Sequence, residues 1–556
     1  MTDSTSMNGG EVLLATLRSR SIDTIFYVAG GTYITVLEAL SRQNAVRAIG
    51  TRLESSAVFA AEAYAAIARK PACVFVSRAP GATNASIGVH TAMQSSRPLV
   101  LFVANIPQSM KQREAFQEID YRLMYAPIAK AVFDVNSFDE LSQVTARALD
   151  LSMSGRPGPV VVSVSRDVLD GPTGNPPIPK PTAPVRAGPD EAGLAAAVSL
   201  IDQAARPVVI AGEMVDFEGA HRELQAFAEN AGVGVMAAYR QQDVFSNEHP
   251  AWLGQLSLNR SDHGERALDE CDLLIAIGTR FDSVTTDDYT MLRENQKLIM
   301  VYPDAAVFSQ WQPDIALVAH SRSTLRALAE RVAAPGPERL EWREEMHEAE
   351  LAFGEPGDVS VHGAVNMAEV IEAFKARVGR EAILVADAGT FGRWIQRFYR
   401  YTQPDTSLGP VSGAMGYGVP GGIGAAVADG DRPVVVWVGD GGFLMTGQEA
   451  AVIVQEQLPV KIIVCDNSAW GSILVSEQKR FPGLDYGTIL RSPDFTTLGE
   501  GYGMTTFRVE KTDEFAGALE QAMATSGPAL IHLKLDSRDV SPFPATAPED
   551  HNPYKD

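Results

Sequence analysis

Residues 434–442 read Val434-Val435-Val436-Trp437-Val438-Gly439-Asp440-Gly441-Gly442, and residues 460–467 read Val460-Lys461-Ile462-Ile463-Val464-Cys465-Asp466-Asn467. Each is a run of strand length, mostly apolar, that ends on polar residues. Between Gly441 and Asp466 lie 24 residues, room for one helix and one crossover. The pair reads as two neighbouring parallel strands whose carboxyl ends bring Asp440 and Asn467 to one sheet edge, where open α/β sheets bind ligands. Magnesium takes about six oxygens, usually one or two from carboxylates and the rest from phosphates and water. Asp440, the Asn467 amide oxygen and the main-chain carbonyl of Ala469 can supply the protein's share. Gly441 and Gly442 let the main chain approach a diphosphate, whose charge the ion and the next helix N-terminus offset. Alone, Gly-Asp-Gly reads as a turn. The strand before each half, the spacing and Gly471 beyond argue for a binding device.

Working outward, short apolar runs alternate with longer amphipathic stretches along the whole chain, the rhythm of βαβ units. The first block shows strands near Thr24–Val28, Cys73–Ser77, Leu99–Ala104 and Val160–Ser165, with helices near Ser55–Arg69 and Ala82–Gln94. Gly171 to Pro189 then holds seven prolines and reads as an extended linker. The second block shows strands at Pro207–Ala211 and Leu273–Gly278, and a weak break at Ala333–Pro337 precedes a Glu-rich stretch. The third shows strands at Ala382–Ala386, Pro433–Val438, Val460–Cys465 and Ala529–Leu533. The expectation is an α/β protein of three doubly wound parallel-sheet domains, at residues 1–170, 190–333 and 361–556. The first and third blocks share a layout that hints at duplication, without a visible sequence repeat.

Composition narrows the function classes. Of 556 residues, 45% are hydrophobic and 21% charged, as in ordinary globular proteins. No apolar run approaches the ~18 residues of a membrane span, and Met1–Gly10 lacks the basic start of a secretory signal. Cys73, Cys271 and Cys465 lie far apart and read as buried thiols, which fits a cytoplasmic location. A formal charge of −22 argues against nucleic acid as a partner, so an anionic ligand needs a local device. Gly416-Tyr417-Gly418-Val419-Pro420-Gly421, with Asp440 placed 19 positions on, mimics a dinucleotide fingerprint. No apolar strand precedes it, so that reading fails.

The Asp440–Asn467 arrangement resembles the metal and diphosphate motif of thiamine diphosphate enzymes. Their cofactor also needs a carboxyl group on N1′ of its aminopyrimidine, which works best when burial raises its pKa. Glu54, in Arg52-Leu53-Glu54-Ser55-Ser56-Ala57 at the start of an Ala-rich helix, is the candidate; its bland reading is a helix-start carboxylate. The pattern is similar to the Arg-His-Glu-x-x-Ala of the acetolactate synthase and benzaldehyde lyase branch, with Leu53 in place of the usual His. Ala79-Pro80-Gly81-Ala82-Thr83-Asn84, Ala115-Phe116-Gln117-Glu118, Gly155-Arg156-Pro157-Gly158-Pro159-Val160 and Gly278-Thr279-Arg280-Phe281-Asp282 extend the resemblance over nearly the whole chain.

The resemblance implies roles for further residues. The first and third domains bind the pyrimidine and the diphosphate. Asn84 joins Glu54 at the cofactor; main-chain groups of Gly413 and Met415 hold the pyrimidine, and Met415 is the wedge that forces the cofactor into its bent V shape. Gly389, Thr390 and Phe391 hold the diphosphate with Gly441, Gly442, Trp470 and Gly471. The substrate pocket takes Gly30, Gly31, Phe116 and Gln117, with Gln117 hydrogen-bonding substrate. In relatives the first domain of one subunit faces the third of another, so a homodimer is the expected minimal unit and a homotetramer the expected assembly. The central domain resembles one that holds FAD in some relatives, ADP or coenzyme A in others, or nothing.

Two differences bear on the reaction. Neither the His-His pair of pyruvate-type decarboxylases nor the benzaldehyde lyase His is present, since Val28-Ala29-Gly30-Gly31 occupies the latter's place. Lacking that proton donor, the chain is expected to favour carboligation of a 2-oxo acid or related small carbonyl compound over simple decarboxylation. Ser476 stands near the acceptor-selecting Trp of acetolactate synthases, while Trp470 matches benzaldehyde lyase. The alternatives are a lyase or hydrolase cleaving a C–C bond of a diketone, 2-hydroxy ketone or acyl-CoA, and a non-catalytic cofactor-binding homologue.

Overall fold

The computed structural model describes residues 6–183, 185–257, 260–357 and 359–542. Pro184 of the linker and the last residues of the third block, 543–556, lie outside them. Three six-stranded sheets result, parallel at every pairing. The first contains β1 (Thr24–Tyr27), β2 (Arg47–Gly50), β3 (Ala72–Val76), β4 (Leu99–Asn105), β5 (Ala131–Val135) and β6 (Pro159–Ser165), ordered β2-β1-β3-β4-β6-β5. The second contains β7 (Pro207–Ala211), β8 (Gly234–Ala237), β9 (Trp252–Gln255), β10 (Leu273–Ile277), β11 (Lys297–Tyr302) and β12 (Ile315–Val318), ordered β12-β11-β10-β7-β8-β9. The third contains β13 (Ile383–Ala386), β14 (Ser407–Leu408), β15 (Val434–Gly439), β16 (Lys461–Asp466), β17 (Thr505–Val509) and β18 (Ala529–Lys534), ordered β14-β13-β15-β16-β18-β17. Counted from its own first strand, the third sheet repeats the order of the first. The layout shared by the two sequence blocks therefore extends to their topology.

By packing, the chain forms two compact units. One takes Met1–Val185, Pro410–Asp431 and Leu444–Val460; the other takes Arg186–Gly409, Arg432–Phe443 and Lys461–Asp556. The second and third sheets thus share a unit, and the third sequence block lends two segments to the first. Strands covered on both faces have no polar side to alternate with, so they read as continuous apolar runs. Every residue of β4 and β6 is buried. Edge strands are harder to read: β2 and β5 are half-exposed and carry Arg47 and Asp134 within them. The Glu-rich stretch after Ala333 is the helix Pro337–Phe353, whose Trp342 and Met346 join the second sheet's core. There Arg339 donates to the carbonyls of Ala231 (2.7 Å) and Ile201 (3.0 Å).

In the first unit the Ala-rich helix Glu54–Ala68 is buried from Ser55 to Ala66, as expected of a helix packed on all sides. Helix Gly418–Ala428 lies against it. A Cβ on Gly424 would sit 1.9 Å from the Ala60 carbonyl oxygen and 3.0 Å from the Ala63 Cβ. Tyr417, one residue before that helix, donates its hydroxyl to the buried Glu62 carboxylate at 2.5 Å. The glycine-rich segment that imitates a nucleotide fingerprint therefore serves close helix packing, and only the two-residue β14 lies shortly before it. Gly424→Ala should destabilise the protein by about 1–3 kcal/mol through overpacking, despite up to ~1 kcal/mol gained in helix propensity. Urea denaturation of the two proteins reads the difference, and equal midpoints would disprove the contact.

Candidate functional site

Strands β15 and β16 are neighbours, with Gly439 opposite Cys465, so the residues that follow each emerge side by side at the carboxyl edge. Strand order reverses between β13 and β15, which makes this edge a topological switch point. Asp440 there is 2% exposed and accepts a hydrogen bond from the Ser492 hydroxyl at 2.9 Å. Burial first, and the Asp466 carboxylate second, push the Asp440 carboxyl up to about 7. Asp466 goes the other way. Burial works against its charge too, but His532 Nε2 at 2.9 Å and Lys534 Nζ at 2.7 Å overcome that and hold it well below the usual range.

Glycines shape the space beside Asp440. A Cβ on Gly441 would sit 2.2 Å from the Trp470 ring, and one on Gly442 would sit 2.9 Å from Asp387 Oδ2. At Gly471 it would meet Thr390 Oγ1 at 2.8 Å and Asn467 Nδ2 at 3.0 Å. Gly389 packs in the same way against the ring of Phe391. Gly389, Thr390, Phe391, Gly441, Gly442, Asn467, Trp470 and Gly471 therefore form one cradle around Asp440. Ser468 adopts a left-handed φ of 53°, which turns the chain between Asn467 and Ala469. The Ala469 carbonyl accepts Gly471 N–H at 2.9 Å, leaving a second lone pair.

These residues fit a divalent cation and a diphosphate. A buried carboxyl kept from ionising by its surroundings gains most from a cation, and the cradle offers main chain where side chains would block a phosphate. Among the described residues no group of three His, Cys, Asp or Glu side chains converges. A hard-oxygen site that borrows ligands from phosphate and water needs no such group. Sequence reasoning missed Ser492, Asp387, Lys534 and His532. Ser492 had no signal, because it lies 52 positions from its partner.

The other candidates lie in the first unit. Glu54 opens its helix without capping it; its Oε2 accepts Asn84 Nδ2 at 3.0 Å, and a Cβ on Gly81 would lie 3.0 Å from Oε1. Its side chain thus reaches across to the neighbouring helix Ala79–Gln94. Glu449, fully buried, accepts the Arg52 main-chain N–H with both oxygens at 3.1 Å and anchors this helix start. Gly413 has φ 71° and open space around it, so its glycine serves the backbone turn that leads to Met415. Gly30 packs on Ser77, and Gly31 faces open space. Phe116 is 79% exposed at a turn pinned by Glu118, and Gln117 has φ 65°.

Comparison with known proteins agrees with this geometry. Residues 7–124, 194–328 and 387–533 match the N-terminal TPP binding, central and C-terminal TPP binding domains of thiamine pyrophosphate enzymes. The chain is 31% identical to the acetolactate synthase large subunit of Corynebacterium glutamicum, over 93% of this chain and 84% of that one. It is also 31% identical to the acetolactate synthase isozyme 1 large subunit of Escherichia coli, over 96% and 94%. A thiamine diphosphate-dependent 4-hydroxybenzoylformate decarboxylase of Rhodococcus jostii RHA1 superposes with a TM-score of 0.85 at 23% identity, covering 95% of this chain and 99% of that one, and so shares the fold. By the match of all three domains in order and the two relatives matched over most of their length, this chain belongs to the thiamine pyrophosphate enzyme family.

Proposed function

We propose that the protein uses thiamine diphosphate held by Mg2+ to join or cleave carbon–carbon bonds of a 2-oxo acid or a closely related carbonyl compound, in the manner of acetolactate synthase. The observation that carries this reading is the glycine cradle around the buried Asp440, whose residues come from the ends of β13, β15 and β16. Asp440, the Asn467 amide oxygen and the Ala469 carbonyl hold the ion. Gly389, Thr390, Phe391, Gly441, Gly442, Trp470 and Gly471 hold the diphosphate, main-chain groups of Gly413 and Met415 hold the pyrimidine, and the Met415 side chain wedges the cofactor into its bent form. When bound, the cofactor would supply the nucleophilic carbon for chemistry at the substrate carbonyl. Glu54, oriented by Asn84, holds the proton at pyrimidine N1′. Gln117 hydrogen-bonds substrate, and Phe116 with Gly30 and Gly31 shapes the pocket.

The active unit in this reading is a homodimer, commonly paired into a tetramer. The exposure of Phe116 supports it, since a pocket aromatic needs a covering surface. The three cysteines are free and buried, and no helix among the described residues is long and apolar enough to cross a membrane. Both fit the cytoplasm. Incubation with a panel of 2-oxo acids, reading carbon dioxide release together with 2-hydroxy ketone products, tests the reaction class.

Asp440→Ala should lose Mg2+ and with it cofactor affinity while staying folded, because the carboxylate lies at the sheet edge. Calorimetric titration of thiamine diphosphate with and without Mg2+, beside a circular dichroism spectrum, reads both effects. Unchanged affinity would remove Asp440 from the metal site. Glu54→Gln keeps the side chain's size but not its acidic proton. It should slow exchange of the C2 proton on enzyme-bound cofactor by about 10²–10⁴-fold, the usual worth of a general acid–base group, with binding retained. Equal exchange rates in the two proteins would leave Glu54 a helix-start carboxylate and nothing more.

A further inference from the structure

Strand β14 pairs with β13 only through Ser407 and Leu408, opposite Leu384 and Val385. Beyond that point Arg240, which follows β8 in the central sheet, takes over. Its Nη1 donates to the Ala386 carbonyl at 2.8 Å and its Nη2 to the Asp387 carbonyl at 3.1 Å. These carbonyls come just before Gly389-Thr390-Phe391. A main-chain carbonyl left without a donor is costly when buried, and a cationic donor makes the stronger bond. Gly409, where β14 would continue, leaves the room: a Cβ there would lie 2.1 Å from Arg240 Nη1 and 2.7 Å from the Ala386 oxygen. Arg240 itself has φ 60°, a left-handed backbone that residues with side chains adopt only where their surroundings impose it.

The neighbouring contacts from the same segment serve docking. Asp243 accepts the N–H groups of Thr406 and Ser407 at 2.8 and 3.0 Å. Asn247 exchanges two hydrogen bonds with the Tyr401 main chain, at 2.8 and 2.9 Å. Of these three residues Arg240 alone holds the start of the 387–391 loop. We propose that Arg240 is a positioning residue, which fixes the carbonyls of Ala386 and Asp387 and so holds the following loop in the shape that grips the cofactor's diphosphate. The inference rests on the reading that puts Gly389 and Thr390 at that diphosphate. A loop held in its bound shape beforehand saves the cost of ordering it on binding. The planar guanidinium spans two carbonyls, which a Lys ammonium reproduces poorly.

The test is calorimetric titration of thiamine diphosphate in Mg2+ into the full-length protein, with melting of the cofactor-free protein alongside. Arg240→Gln and Gly409→Ala should each weaken binding by about 10–100-fold, the range typical of outer-shell partners. Arg240→Lys should recover only part of the loss. Asn247→Ala, which cuts the same docking surface away from the loop, should lower the melting temperature and bind cofactor as wild type does. At saturating cofactor, C2 proton exchange in Arg240→Gln should return to the wild-type rate, because the reacting atoms are untouched. Wild-type affinity in Arg240→Gln overturns the inference, as does an affinity loss in Asn247→Ala that matches it at equal loss of stability. Thr390→Ala separates the two readings. If it binds cofactor normally, the loop is not the diphosphate site and both fall; if it binds weakly while Arg240→Gln does not, only the role of Arg240 falls.

Discussion

Two carboxyl groups, Asp440 and Asp466, stand at the ends of adjacent parallel strands, both nearly or wholly out of water. Parallel pairing fixes their separation, so neither can move away to relieve the repulsion. The surroundings divide the charge instead. His532, Lys534 and the Ser468 main chain and hydroxyl commit Asp466 to the anionic form. Asp440 keeps one hydroxyl partner in Ser492 and faces the glycine cradle. A carboxyl that its surroundings keep from ionising is thus held beside the glycine cradle, the arrangement a cation would favour.

That arrangement answers the question raised by the net charge. A chain of formal charge −22 repels an anionic cofactor at long range, with a reach of about 8–10 Å at ordinary ionic strength. In the reading proposed above, binding comes from contacts inside that distance: a divalent ion on a partly neutral carboxyl, main-chain groups in the glycine cradle, and the N-terminus of helix Gly471–Arg480. Each works at short range.

What the sequence disclosed follows the same physics. Strands buried on both faces, such as β4, β6, β15 and β16, were legible because nothing polar interrupts them. Half-exposed β5, β12 and β17 and the two-residue β14 lack that signature, but burial is not sufficient, because β8, β9 and β11 are buried and still escape the reading. At the candidate site, Asp440, Asn467, Gly441, Gly442 and Gly471 could be read because strand ends and spacing are local properties, whereas Gly389, Thr390 and Phe391 came only from the family resemblance. Ser492 and Arg240 could not. Ser492 is delivered by a return of the chain after helix Gly471–Arg480, and Arg240 comes from a different sheet.

Packing also changes the weight of one residue in the family likeness. Trp470 matches the benzaldehyde lyase pattern, which would make it a marker of substrate choice. Its ring, however, occupies the space that a side chain on Gly441 would fill, and its main-chain N–H donates to Thr488 at 2.8 Å. Those contacts account for a large flat residue there whatever the substrate. In the carboligase reading proposed above, Trp470 is therefore explained by packing and is no guide to the acceptor. Ser476, on the helix that Trp470 precedes, donates its hydroxyl to the Ser472 carbonyl one turn back, the local bond that a small hydroxyl residue makes within a helix.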